Sequence, residues 1–258
     1  MKKKPFQASK LPHDDPRYIK WRRSLLNRPA PWNKGQTKET NSSVAKISRT
    51  FRKKKIDNFS EWRRKKQKEG RWNTYKELKK DGDCAELIGA VLGDGSIYSF
   101  PRTEYLRIVC NTVYPGWIKR CALLVERVFG KKPHVAKRRA SNCANITLYQ
   151  KNIGERLGIS PGSKGRRVFK TPGWILKNDD FIIRYLRGLY EAEGSLSVHK
   201  PTYTYKFIFA NQNESLLDQV EYLWEHLGFH PHRSKYKVQI SKKSEVFAAS
   251  ELMEFRKY

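Results

Sequence analysis

Helical and strand periodicities alternate along the chain, and the whole series occurs twice. Residues 87–95, LIGAVLGDG, and residues 186–194, LRGLYEAEG, carry apolar and small side chains at helical spacing and end in a small residue, an acid and a glycine. After each comes a run with two-residue alternation, YLRIVCN over 105–111 and YKFIFAN over 205–211, the pattern of a half-buried strand. Amphipathic helical patterns follow over 115–129 and 214–227, closing on FGKKPHVAK and LGFHPHRSK. The helical motifs align at an offset of 99 and the strands at 100, which reads as a tandem duplication. Each unit is expected to run helix, two strands, helix, two strands, helix. In the first unit the strands fall near 96–99, 105–111, 135–138 and 145–149, with a last helix over 150–157. The fold class is therefore α+β with two related sheets, the repeats spanning 84–173 and 174–258.

Charge changes this picture at one end. The 258 residues carry a formal net charge of +29, and residues 1–80 hold 26 Lys+Arg against 7 Asp+Glu. Such a field draws polyanions, with nucleic acid the leading partner. This basic third interleaves aromatics (Tyr18, Trp21, Trp32, Phe51, Phe59, Trp62, Trp72, Tyr75) with its cations and lacks sustained apolar periodicity, so short helices and extended segments are expected, ordered mainly on binding. In residues 31–48, PWNKGQTKETNSSVAKIS, a Gly turn precedes Thr37 or Ser42 as helix caps. That segment resembles the small modular DNA-binding repeats found beside intron-encoded nucleases. Trp32, Lys34, Lys38, Arg52, Lys53, Arg63 and Arg64 are its candidate DNA contacts. No apolar run approaches the roughly 20 residues of a spanning helix, and residues 1–4 lead into no signal-peptide core. A soluble intracellular protein is expected, in cytoplasm, nucleoid or organelle.

The motif helices carry the chemistry. Gly89 and Gly93 lie four apart on one helix face, as do Gly188 and Ala192, so the two helices can pack backbone to backbone. Asp94 and Glu193 then fall at the C-terminal ends, where the helix dipole disfavours an anion, with Gly95 and Gly194 placed as left-handed caps. Two acids brought together there repel each other, and a divalent cation with oxygen ligands relieves the repulsion. The strands following each motif supply a basic face for a duplex groove, through Arg107, His134, Lys137 and Arg139 in one copy and Lys206, Arg233, Lys235 and Lys237 in the other. Cys84, Cys110, Cys121 and Cys143 show no paired short spacing, so buried reduced thiols are expected and not zinc or disulfides. The HPH triplet at 230–232 has no further ligands beside it.

With these residues the chain resembles single-chain LAGLIDADG homing endonucleases from about residue 84 onward. The resemblance implies a saddle of two pseudo-symmetric sheets over DNA, with the motif helices at the interface and two or three Mg²⁺ ions held by Asp94 and Glu193 together with Gly93 and Ala192. It implies catalytic roles for Asn111, Asn211 and Lys164, and for Arg256 or Lys257 in the second repeat, with Glu191 a further acid. The implied activity is a double-strand break with short 3′ overhangs, made by a monomer on a long asymmetric target, in an enzyme associated with an intron or intein. Double-stranded DNA is the implied partner, with no membrane and no obligate protein partner. The alternatives within the same fold are an RNA-splicing maturase acting on intron RNA and a catalytically inactive DNA-binding regulator.

Overall fold

The computed structural model describes residues 11–258 apart from 55, 58, 70–74, 76, 140 and 166. Two compact units divide at Thr74. The first contains three short helices: α1 (Pro16–Leu26), α2 (Ser42–Lys53) and α3 (Ser60–Lys68). Asp15 caps α1, its carboxylate accepting the N–H of Arg17 at 2.8 Å. The cap of α2 is neither Thr37 nor Ser42 but Asn41, whose side-chain oxygen accepts the N–H groups of Ser43 and Val44 at 2.9 and 3.1 Å. Asn41 is extended, with φ −141°, which brings its amide oxygen over the first turn, whereas the Thr37 hydroxyl closes its own turn by accepting from Glu39 N. Neither α1 nor α2 buries a residue. Ile19, Leu26, Trp32, Phe51, Phe59 and Trp62 stay exposed; Trp72 lies outside the described residues.

The second unit begins at Tyr75, a few residues before the expected boundary at 80. Leu78 already joins its core, and the Arg156 guanidinium stacks on Tyr75. It contains α4 (Gly82–Leu92), β1 (Gly95–Phe100), β2 (Thr103–Asn111), α5 (Pro115–Phe129), β3 (His134–Lys137), β4 (Cys143–Gln150) and α6 (Ile153–Leu157). The second repeat follows with α7 (Asp179–Glu193), β5 (Gly194–His199), β6 (Thr204–Ala210), α8 (Glu214–His226), β7 (His232–Ser234), β8 (Lys237–Ile240) and α9 (Lys243–Leu252). Both sheets are antiparallel and share one strand order, β1-β2-β4-β3 and β5-β6-β8-β7. Among the described residues no helix is long and apolar enough to cross a membrane.

The helices α4 and α7 hold the two repeats together. A Cβ on Gly89 would lie 2.3 Å from the Tyr185 carbonyl oxygen, and one on Gly188 would lie 2.1 Å from that of Glu86. No side chain fits there, so the backbones touch, as the small-residue stripe predicts. A buried ionic cluster crosses the same interface. The carboxylate of Glu86, fully buried, accepts from Arg120 Nη2 at 2.7 Å, from Arg120 Nε, and from Arg184 Nε at 2.5 Å.

Two details differ from the expectations above. Gly95 and Gly194 are not left-handed caps: both open strands, and Gly194 has φ −92° and ψ 156°. What demands glycine is space, because a Cβ would fall 2.5 Å from Val91 Cα at Gly95 and 2.4 Å from the Tyr190 carbonyl oxygen at Gly194. The strand alignment at offset 100 also slips by one. Gly95 pairs with Ile108 and Gly194 with Phe209, so β2 and β6 correspond at 101. Tyr105 therefore sits on the open face of its sheet, while Tyr205 is buried on the helix-covered face. A one-residue shift exchanges the faces of every side chain, so matching letters did not mean matching directions.

Candidate metal and DNA site

Because α4 and α7 touch, their C-terminal ends emerge side by side. A Cβ on Gly93 would lie 2.4 Å from Ala192 Cβ and 3.5 Å from Glu193 Cγ, so Asp94 and Glu193 follow directly from the closest approach of the pair. Asp94 is solvent-exposed yet has protein on most sides; desolvation first, and then the Glu193 charge, raise its pKa from 3.8 to about 6. Desolvation also raises Glu193. Lys164 is the nearby cation. Its Nζ donates to the carbonyls of Val91, Leu92 and Gly93 at 3.0, 2.7 and 2.5 Å, closing the carbonyl end of α4 and matching all three of its donors. Desolvation lowers its pKa to about 8 against the opposing pull of the two acids. Among the described residues no group of three or more His, Cys, Asp or Glu could hold a metal ion, so the acidic donors here are these two.

Asn111 and Asn211 perform the same local task. Their side-chain oxygens accept the N–H of Val113 at 3.0 Å and of Asn213 at 2.8 Å, turning the chain from strand into helix. Asn211 also lines a cleft with Glu193, Gln212 and Tyr236.

Glu191 faces away from this pair of acids. It is buried and accepts the Arg256 N–H at 2.7 Å and the Tyr258 hydroxyl. Arg187, one turn earlier, donates to the Glu254 carboxylate and to the carbonyls of Glu254 and Lys257 at 3.2 and 3.1 Å. These two side chains bind residues 254–258 as a strap. The strap carries the Arg256 guanidinium to 4.4 Å from the Tyr114 ring and 3.4 Å from the Gly194 carbonyl. Of the two expected second-repeat cations, Arg256 is thus beside the end of α7, while Lys257 pairs with Glu251. The sequence held one unused sign of the strap: Arg187 and Glu191 stand where the first motif has Ile88 and Leu92, so the two helices had to meet different neighbours.

The LAGLIDADG-like domain family matches residues 180–257. Residues 180–257 form a LAGLIDADG-like domain. The first repeat has the same strand order, so the chain carries this sheet topology twice. A search of curated protein sequences returns no match. Among solved structures, mesophilic variants of the homing endonuclease I-DmoI are similar at 17% identity and a TM-score of 0.45, over 67% of this chain and 94% of that one. I-DmoI in complex with DNA and Ca gives 15% and 0.45, over 67% and 88%. The N-terminal LAGLIDADG domain of DUF199/WhiA gives 14% and 0.45, over 67% and 80%.

In both repeats one sheet face lies on helices and the other is open. Register puts Arg107 on the open face of the first sheet, between Ser96 and Thr147, with His134 opposite Thr147. On the second, Lys206 stands opposite Ser197 and Lys237 opposite Ala210. Arg139 and Lys235 sit in the turns of the β3–β4 and β7–β8 hairpins and are exposed. Two residues expected on the groove side point otherwise. Arg233 pairs with Val238, a helix-side position, and reaches Asp218 at 3.3 Å and Glu221 at 3.8 Å on α8. Lys137 pairs with buried Ala144 and is exposed only because β3 is an edge strand. The two-residue pleat decides both cases. In the first unit, Trp32, Lys34, Lys38, Arg52, Lys53 and Arg64 are exposed, and Arg63 is half-buried against Asp57. The triplet at 230–232 is divided: His230 is bound to Glu245, while His232 faces Gln239 on the open side.

Proposed function

We propose that the chain is a divalent-metal-dependent endonuclease that makes a double-strand break in a long, asymmetric DNA target, in the manner of LAGLIDADG homing endonucleases. The observation that carries this is the pair of carboxylates, Asp94 and Glu193, delivered to one place by two helices whose backbones touch, each acid less ionised than in water. An acid placed at a helix C-terminus beside another acid is costly for the fold alone. The donor set fits a hard cation through the two carboxylates, oxygen donors only, while the Gly93 carbonyl expected beside them is taken by Lys164 Nζ. When bound there, Mg²⁺ polarises a phosphodiester, lowers the pKa of an attacking water and neutralises the leaving oxygen.

The chain's own residues supply the rest. Lys164 keeps a positive charge against the acids and cancels the negative end of α4. Arg256 holds the corresponding place by α7. Open sheet faces carrying Arg107, His134, Lys206 and Lys237 present donors to base edges, and the exposed cations of the first unit add phosphate contacts.

The test is cleavage of the duplex that the protein enriches from a randomised library, with Mg²⁺ present. Asp94→Asn or Glu193→Gln should each lower the cleavage rate by more than roughly 100-fold, beyond what loss of an outer-shell partner costs, and leave binding in EDTA unchanged. Wild-type cleavage rates in either variant overturn the assignment.

A further inference from the structure

We infer that the first sheet reads a thymine-containing outer half-site through a row of aromatic rings, while the second sheet reads its half through polar side chains. This rests on the DNA reading above and adds which base feature one half-site must have, and where.

Tyr98, Tyr105 and Tyr149 stand directly opposite one another across β1, β2 and β4 on the open face. Their ring centroids are 6.1 and 4.7 Å apart, and Phe100 adds a fourth ring 6.5 Å from Tyr105. The patch is not core: Tyr98 is 42% exposed, Phe100 50% and Tyr149 53%. An exposed aromatic cluster of this size marks a recognition surface.

The second repeat serves as an internal control. The same pleat positions there, matched through Gly95 and Gly194, hold Ser197, His199 and Lys206. Both sheets form with the same strand order, so the rings are not what the sheet needs in order to fold.

The neighbouring row points to the occupant. Arg107 Nη2 donates to the Tyr98 hydroxyl at 3.2 Å, and its guanidinium lies 5.6 Å from that ring. Ser96 Oγ, Arg107 Nε and Asn145 Oδ1, all on open-face positions, are buried without a hydrogen-bond partner. A surface with polar atoms awaiting partners beside apolar rings, on a chain of net charge +29, suits the major groove of a duplex. There the polar atoms meet base edges and the rings meet the C5-methyl of thymine. Tyr98 lies four strand residues beyond Asp94, about 13 Å at roughly 3.3 Å per residue, or about four base pairs at 3.4 Å each. The preference therefore falls about four base pairs outward from the cut.

The experiment is selection from a randomised duplex library by the full chain in EDTA, followed by affinity measurements on the enriched site. Wild type should enrich an asymmetric site with thymine at that distance in one half only. Replacing those thymines with uracil removes only the methyl and should weaken binding about fourfold for each buried methyl. A Tyr98→Ala/Tyr149→Ala variant should lose most of the wild-type preference for thymine over uracil, and its log affinity against log salt should keep the wild-type slope, since the rings touch no phosphate. Tyr98→Phe/Tyr149→Phe, which keeps the rings, should still discriminate, and this pair separates loss of recognition from misfolding. An enriched site without thymine there, indifference of wild type to uracil, or undiminished discrimination by the Ala variant each overturns the inference while DNA recognition stands. Failure of wild type to enrich any sequence overturns both readings together.

Discussion

Asp94 shows how a single residue is tuned against stability. Its folded pKa, about 6, lies above the ordinary 3.8, so the folded state holds the proton more tightly. The associated stability is present below about pH 4 and is lost as pH rises through about 6. Because the carboxylate is solvent-exposed, screening keeps the effect near 1 kcal/mol, well under what two pKa units imply for a buried group. In EDTA, Asp94→Asn should therefore melt higher than wild type at pH 8 and no higher at pH 4; equal melting temperatures at both pH values would contradict the desolvation of this acid. Gly188 is tuned in the opposite sense. Gly188→Ala forces a Cβ against the Glu86 carbonyl oxygen, 2.1 Å away, and should cost at least roughly 1–3 kcal/mol through separation of the helices, read in urea unfolding. The residues themselves were visible in sequence. That Gly95 is required by a close approach to Val91, and not by a positive φ, was not, because the same letter serves both needs.

At the scale of elements, α4 and α7 carry both the acids and the join between repeats. The periodicity of 87–95 and 186–194 sufficed to place both helices and to forecast that they touch. Glu86 was missed, since an acid at the edge of an apolar run looks solvated in sequence; burial by Arg120, Arg184 and the facing helix is non-local. Glu86→Ala leaves Arg120 and Arg184 without their shared carboxylate and should destabilise the protein by roughly 3–5 kcal/mol. Glu86→Gln should cost less if hydrogen bonding outweighs charge there, and denaturant midpoints of the two variants separate these contributions. The strand elements were legible by alternation, but their correspondence between repeats was not. Tyr105 and Tyr205 align as letters and face opposite ways, because register is set by the partner strand.

For the whole molecule, the basic first unit and the two-repeat unit should contribute separately to DNA binding. Protein starting at Tyr75, where the two-repeat unit begins, should cut at the same position as full-length protein but with lower affinity. Its log affinity against log salt should be shallower by about 0.9 for each phosphate that the first unit neutralises; an unchanged slope shows those residues to be a passive tail. Both motifs reside in one chain, so one copy should suffice on an asymmetric site. Sedimentation of the DNA complex should give a 1:1 stoichiometry, and an obligate dimer on a palindromic site contradicts it.

The sequence by itself determined what depends on near neighbours: helix and strand periods, the duplicated order of elements, the small-residue stripe, the two repeated acids and the concentration of charge before residue 80. These follow from spacing along the chain, which the backbone geometry of helix and strand converts directly into faces. Tertiary structure alone decided which partner each face meets. It aimed Arg233 at α8 and away from the open face, gave Glu191 to the strap and not to the acids, bound Lys164 to the carbonyl end of α4, and gathered Tyr98, Tyr105 and Tyr149 into one row. Each of those outcomes rests on a register or a packing between segments distant in sequence, and a shift of one residue in a strand is enough to reverse it.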